Sequence, residues 1–187
     1  MLRVNKFKVL SGGAVFFTAL FLFGFRAGDK ISPKLQEKLN NAVQTTFEVG
    51  EFTLEWIQVD PSLNADTPAE LGGENLFKIK ENDNVIGYAY LGQASSMKNV
   101  FDYVVLFNLD LSIKKSKILI YREDYGRQVG SQRWLKQFIG KKSGEGLTYG
   151  EDIDAISGAT ISAKSMTMAV SDILESIGIL KKNKVLE

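Results

Sequence analysis

Apolar residues recur along the chain in three different rhythms. From Val9 to Phe25 (VLSGGAVFFTALFLFGF) seventeen residues run without a charge. As a helix they would span roughly 26 Å, close to the ~30 Å hydrocarbon layer of a bilayer. Further on, Leu35, Leu39, Ala42, Val43 and Phe47 share one face of a helix predicted over Lys34–Phe47. A cleaner stripe follows near the other end, where Met166, Ala169, Val170, Ile173, Leu174 and Ile177 fall at i, i+3, i+4, i+7, i+8 and i+11. Gly178 reads as the stop of that helix, and Lys181, Lys182 and Lys184 complement its carbonyl end.

Between the helical segments the rhythm shortens to two. Phe52–Val59 reads as a strand, with Trp56 as a core residue. Asp60–Asn75, holding two prolines and Gly72-Gly73, reads as a loop. Leu76–Lys80 and Val85–Ala94 form a hairpin across Glu81-Asn82-Asp83-Asn84. Tyr103–Leu111 and Lys117–Arg122 make a second pair around Lys114-Lys115. Ser131–Ile139 is predicted as a short helix and Gly140–Gly150 as an exposed glycine-rich loop. The order implies an α+β fold, an antiparallel sheet with flanking helices, preceded by one N-terminal transmembrane helix. Its expected divisions are residues 1–8 in the cytoplasm, 9–26 as anchor, 27–75 as a helix, strand and loop, and 76–187 as the main domain.

Charge orients the anchor. Of the 187 residues, 23 are Lys or Arg and 22 are Asp or Glu, but residues 1–26 carry Arg3, Lys6, Lys8 and Arg26 with no acid. That segment is +4 and the remainder −3, which is no electrostatic footprint for nucleic acid. Cations cluster before the apolar run, so the positive-inside rule puts residues 27–187 on the far side of a cytoplasmic (inner) membrane, crossed once. A cleaved signal peptide is the competing reading, although a cut after Ala27 would place Phe25 at the −3 position.

The absent residues restrict the chemistry. The sequence contains neither Cys nor His. Thiolate and imidazole metal sites, disulfides, and Ser–His or Cys–His nucleophiles are thereby excluded. Redox work would require an organic cofactor. No Gly-x-Gly-x-x-Gly follows a strand, so nothing suggests a nicotinamide site.

One motif carries a functional signal. Asp154-Ala155-Ile156-Ser157-Gly158-Ala159-Thr160-Ile161-Ser162 stands before the last helix. Gly158 permits a turn other residues resist, and Ser157 or Thr160 is placed to cap the helix. The first turn (Ile161, Ser162, Ala163) contains no acid, leaving its amides and dipole to an anion such as phosphate. On these grounds alone an ordinary capped helix remains the more economical reading.

The string Asp-x-x-Ser-Gly-Ala-Thr resembles the flavinylation motif of FMN-binding domains. These occur in flavin-bearing subunits of the sodium-pumping NADH:quinone reductase and of the Rnf complex, and in stand-alone membrane-anchored proteins. The resemblance implies FMN joined by a phosphoester to Thr160. It also implies a flavin transferase that uses FAD as donor and reads Asp154, Ser157 and Gly158. Ala159, Ile161 and Ser162 would lie beside the cofactor. Among nearby hydroxyls, Ser162 is the closest competitor for attachment, with Ser165 and Thr167 deeper in the helix. Family members place an acidic, glycine-bearing segment opposite the flavin, here Tyr121-Arg122-Glu123-Asp124-Tyr125-Gly126. The respiratory proteins read Glu-Thr-Pro-Gly-Leu-Gly there. This chain agrees better with the stand-alone members, in which Glu, Tyr, Gly and a following Trp (here Trp134) occur.

Glu123, Tyr125 and Gly126 thus join the candidate site. Tyr125 and Trp134 each offer an aromatic face to a planar ring, while Trp134 equally suits a core with Leu135 and Phe138. Glu123 suits either a hydrogen bond to the flavin or a loop tether. The expected function is an anchored electron carrier serving redox proteins or quinones outside the cytoplasm, not a stand-alone enzyme. Two alternatives stay open: a subunit of an Rnf- or Nqr-type ion-translocating complex, and a non-redox binding module in which the motif is only a helix cap.

Overall fold

The computed structural model describes residues 31–186. The predicted anchor over 9–26 lies outside them. Among the described residues no helix is long and apolar enough to cross a membrane.

Helix α1 (Pro33–Phe47) starts where the periodicity places it. Ser32 accepts a hydrogen bond from the Leu35 amide at 3.4 Å, and Pro33, which has no amide hydrogen, occupies the first turn. Five strands follow: β1 (Thr53–Trp56), β2 (Leu76–Glu81), β3 (Asn84–Ser95), β4 (Val100–Phe107) and β5 (Ile113–Ile120). Each pairs antiparallel with its neighbour in sequence, giving one sheet in the order β1-β2-β3-β4-β5. A single helical turn, α2 (Pro61–Asn64), interrupts the predicted loop between β1 and β2. Beyond the sheet come a second short turn, α3 (Gln132–Leu135), extended by a 3-10 turn to Phe138, and the long helix α4 (Thr160–Lys182).

Alternation along β3 and β4 sorts the core onto two faces. Ala89, Leu91, Val104 and Leu106 face α1, packed with Leu39 and Val43. Tyr88, Tyr90, Phe101, Tyr103 and Val105 face α3 and α4, packed with Trp134, Met166, Val170 and Ile173. On the second face Tyr121, Phe101, Tyr103 and Tyr90 form a file with centroid spacings of 5.7, 6.4 and 6.1 Å. Burial pushes the pKa of the Tyr90 hydroxyl up to about 12 and raises that of Tyr103 as well.

The β2–β3 hairpin follows the sequence closely, because Asn82 and Asp83 both adopt the left-handed backbone a two-residue turn requires. Four expectations are corrected. The second pair runs Val100–Phe107 with Ile113–Ile120, so Lys114 and Lys115 lie inside β5 and the turn is Asn108–Ser112. β5 is an edge strand, where lysines are tolerated and deter pairing with other chains. Strand β1 is shorter than predicted, and Trp56 is 41% exposed, donating its indole N–H to the Gly73 carbonyl. Gly178 does not stop α4, which continues to Lys182. Its missing side chain instead admits Ser143, whose Oγ would lie 1.9 Å from an added Cβ.

Candidate flavin site

The motif is held from behind. Trp134 is buried and donates its indole N–H to the Asp154 carbonyl at 2.7 Å. The Asp154 amide donates to Gln137 Oε1 at 2.9 Å, and the Ile156 amide to the Tyr149 hydroxyl at 3.0 Å. Trp134 therefore belongs to the core and the motif's support, packed edge-on against Phe138, and is unavailable for stacking on a surface ligand. The chain then turns at Gly158, whose φ of 78° suits glycine, and enters α4 through Ala159.

Among the described residues no side chain caps α4. Ser157 makes no bond to it, and Thr160 Oγ1 makes only a long bond of 3.4 Å to the Ile156 carbonyl. Expected capping by either residue is therefore corrected: Thr160 is the first helical residue, too far along to serve as the cap. The first turn contains no acid, as read from the sequence. The helix thus presents amide donors and a partial positive charge that its own flanking residues leave without a side-chain acceptor.

Beside Thr160 is a depression of about 190 Å³ lined by Met97, Tyr121, Glu123, Tyr125, Gly126, Gly158, Ala159, Thr160, Ile161 and Ser162. Eight of the ten residues singled out in the sequence meet here, from two segments about forty positions apart. Asp154 and Ser157 stand outside the lining, exposed on the approach to the helix. Tyr125 is 84% exposed and Ile161 also reaches solvent, so apolar surface borders the Thr160 hydroxyl. Larger clefts of about 1210 and 800 Å³ lie elsewhere, and no motif residue lines either.

Ser162 behaves unlike the competitor expected of it. It is 3% exposed, and its Oγ sits 2.8 Å from the Tyr121 hydroxyl. Thr167 is also buried, donating to the Ala163 carbonyl at 2.9 Å. Thr160 is exposed, which leaves it the accessible hydroxyl at the start of α4.

Opposite, Glu123 tethers a loop. Its Oε1 accepts from Ser96 Oγ at 2.5 Å, from the Lys98 amide at 2.7 Å and from the Asn99 amide at 2.9 Å. The Ser96 hydroxyl and these amides hold its carboxyl below the usual carboxylate range. Next to it, Arg122 pairs with the buried carboxylate of Asp102 at 2.5 Å and donates to the Val100 carbonyl at 3.0 Å. Gly126 has φ 77°, and a Cβ there would lie 2.6 Å from the Tyr121 hydroxyl.

Sequence reading missed two lining residues. Met97 stands in the polar tip Ser95-Ser96-Met97-Lys98-Asn99, and an apolar residue exposed in such a turn is the signal that could have found it. Tyr121 enters the sequence reading only as part of its segment, since nothing in sequence pairs it with Ser162.

Comparison with known proteins bears on the segment that holds these residues. Residues 97–175 match the family model described as the FMN-binding domain. The matched segment spans both Met97 and the motif. Among solved structures, the fold resembles the crystal structure of Shewanella oneidensis NqrC, with a TM-score of 0.53 and 16% sequence identity. The alignment covers 80% of this chain and 99% of that one. No curated protein matches the chain.

Proposed function

We propose that this chain is a membrane-anchored electron carrier that holds one FMN by a phosphoester on Thr160. The observation that supports it is the placement of that hydroxyl: exposed, at an uncapped and acid-free helix start, on the rim of an apolar-edged depression. The residues suit the group. The amides and dipole of the first turn of α4 suit a phosphate, and Tyr125, Ile161 and Met97 offer flat or pliable apolar surface to a ring system. When bound, FMN supplies one- and two-electron chemistry that a Cys- and His-free protein cannot.

The chain's own residues attach, orient and shield. Thr160 Oγ1 takes the FMN phosphoryl group from FAD in a transferase-catalysed step, AMP leaving and the hydroxyl proton being lost. Asp154 and Ser157, exposed and outside the depression, remain available to that transferase. Trp134, Gln137 and Tyr149 hold the segment the enzyme would read. A covalent link keeps the cofactor at fixed effective concentration outside the cytoplasm, where free FMN would be diluted away. With no nicotinamide motif, electrons come from and leave to redox proteins or quinones. The anchor at residues 9–26 and the charge bias before it put the domain on the periplasmic or extracytoplasmic side.

The helix-cap alternative loses its physical basis, since neither Ser157 nor Thr160 caps α4. Assembly into an Rnf- or Nqr-type complex draws on the fold shared with NqrC, whereas Tyr121–Gly126 departs from the sequence of the respiratory proteins.

The test is the intact mass of the full chain expressed with a flavin transferase, beside Thr160→Ala. A gain equal to FMN less one water, absent from the variant, is expected. An unshifted wild-type mass sinks the carrier reading.

A further inference from the structure

The tip of the β3–β4 hairpin has few attachments of its own. It spans Ser96–Asn99, crossed by one backbone bond from the Ser96 amide to the Asn99 carbonyl at 2.8 Å. All four residues are polar except Met97, which is 68% exposed and lines the depression beside Thr160. A methionine at such a turn gains little from burial and would move freely if only the turn held it. What holds it comes from another segment. A single oxygen of Glu123 collects three donors from this tip, two of them the main-chain amides that follow the methionine. Hydrogen bonds from neutral donors to a carboxylate are about twice as strong as neutral pairs.

We propose that Glu123 is a positioning residue: its ionised carboxylate latches the β3–β4 tip to the loop after β5, and so holds Met97 as a wall of the flavin site. This rests on the reading that FMN occupies the depression. The latch joins the two segments that face each other there, Met97 on one and Tyr125-Gly126 on the other. Arg122 reinforces the same seam lower down, through Asp102 and the Val100 carbonyl. Because the three bonds converge on one oxygen, their loss is concerted. Without them the tip is tied across itself by the Ser96 amide and hydroxyl, both donating to the Asn99 carbonyl, and neither bond reaches the methionine. The charged group that acts on the carboxylate is Lys98 on the tip, while on its own loop Arg122 is paired with Asp102 and Arg127 with Asp124. Arg127 reaches the Glu123 backbone carbonyl at 3.2 Å and Asp124 at 3.2 Å. The first turn of α4 adds no acid.

The experiment has two readouts. In protein made without the transferase, amide hydrogen exchange is followed in wild type, Glu123→Ala and Glu123→Gln. Exchange at Lys98 and Asn99 should rise in Glu123→Ala by about tenfold or more, the scale of a lost charge-assisted bond, with α4 amides unchanged. Glu123→Gln, which keeps an accepting oxygen, should fall between. In transferase-treated protein, acrylamide quenching of flavin fluorescence should steepen in Glu123→Ala and equally in Met97→Ala. The double variant should add nothing further, because both changes remove the same wall. Unchanged exchange overturns the latch. Raised exchange with unchanged quenching overturns Met97 as a flavin wall while the carrier reading stands. A wild-type protein that gains no FMN mass overturns the carrier reading and this proposal together.

Discussion

The two long helices begin in opposite ways. Helix α1 is closed by its own chain: Ser32 Oγ accepts from the Leu35 amide and Pro33 removes one donor. Helix α4 is entered through Ala159, with no side-chain cap, after a glycine at positive φ. Neither first turn contains an acid. Every helix start leaves amides in need of acceptors, and the two solutions separate a helix closed by its own chain from one left open. Around α1 the sequence supplies the acceptor. Around α4 it supplies support from behind, through Trp134, Gln137 and Tyr149, and leaves the front open.

The sharpest break in that comparison is Thr160→Ala. All flavin mass should be lost on co-expression with the transferase, and the melting temperature of the unloaded protein should hardly change, since the hydroxyl makes only a 3.4 Å bond. Retained flavin would move the attachment elsewhere and undo the contrast. Next come the glycines. Gly126→Ala adds a clash with Tyr121 to a left-handed backbone and should cost about 2 kcal/mol or more in chemical denaturation. Gly158→Ala meets nothing closer than 3.7 Å, so only backbone strain remains, about 1 kcal/mol. If the two cost the same, the Tyr121 contact is not what fixes the loop.

Ser32→Ala is smaller again. It should destabilise the fold by about 0.5 kcal/mol, at the low end for a cap because its bond is long, and leave flavin loading untouched. A loading defect there would mean the two helix starts are coupled.

The smallest effect is with pH, and two carboxylates carry opposite signs. Glu123 is held low, first by the Ser96 hydroxyl and then by the tip amides. Its contribution is present above the ordinary value near 4.5 and is lost as pH falls through its depressed folded value. Asp172 on α4 is raised, first by burial and then by Glu175. Its contribution is present below the ordinary value near 3.8 and is lost as pH rises through its raised folded value. Side-chain carboxyl titration by NMR should therefore place Glu123 below the usual range and Asp172 above it. Reversed midpoints would remove the electrostatic argument for the tip.

The same contrast explains what could be read from sequence. Both long helices announce themselves by apolar spacing, and the Asn82-Asp83 turn by its chemistry, because these signals are local. The motif marks the α4 start and the exposed threonine. Lys114-Lys115 suggests a turn because an edge strand's solvent side is chemically indistinguishable from one. Gly178 suggests a stop because its real neighbour, Ser143, is remote in sequence. Trp56 and Trp134 exchange weight for a similar reason, since which indole is covered depends on where distant segments pass. Ser157 and Thr160 fail as caps by a margin of one or two positions, which spacing alone does not resolve. Met97 and the Glu123 latch need the sheet, which brings a hairpin tip to a loop more than twenty residues further on.

The pairing of every strand with its neighbour in sequence has a consequence for timing. Such a meander needs no long crossover between paired strands, so its hairpins can form in the order in which they are translated. Helix α4 is made after all five strands and covers one face of their sheet. The segments bearing Met97 and Glu123 are therefore made before the threonine, while the supports on Asp154 and Ile156 cannot engage until the segment leading into that last helix docks. The hydroxyl is thus the last part of this surface to be made, and a cofactor joined there, as proposed, would be attached late and would report a correctly folded domain.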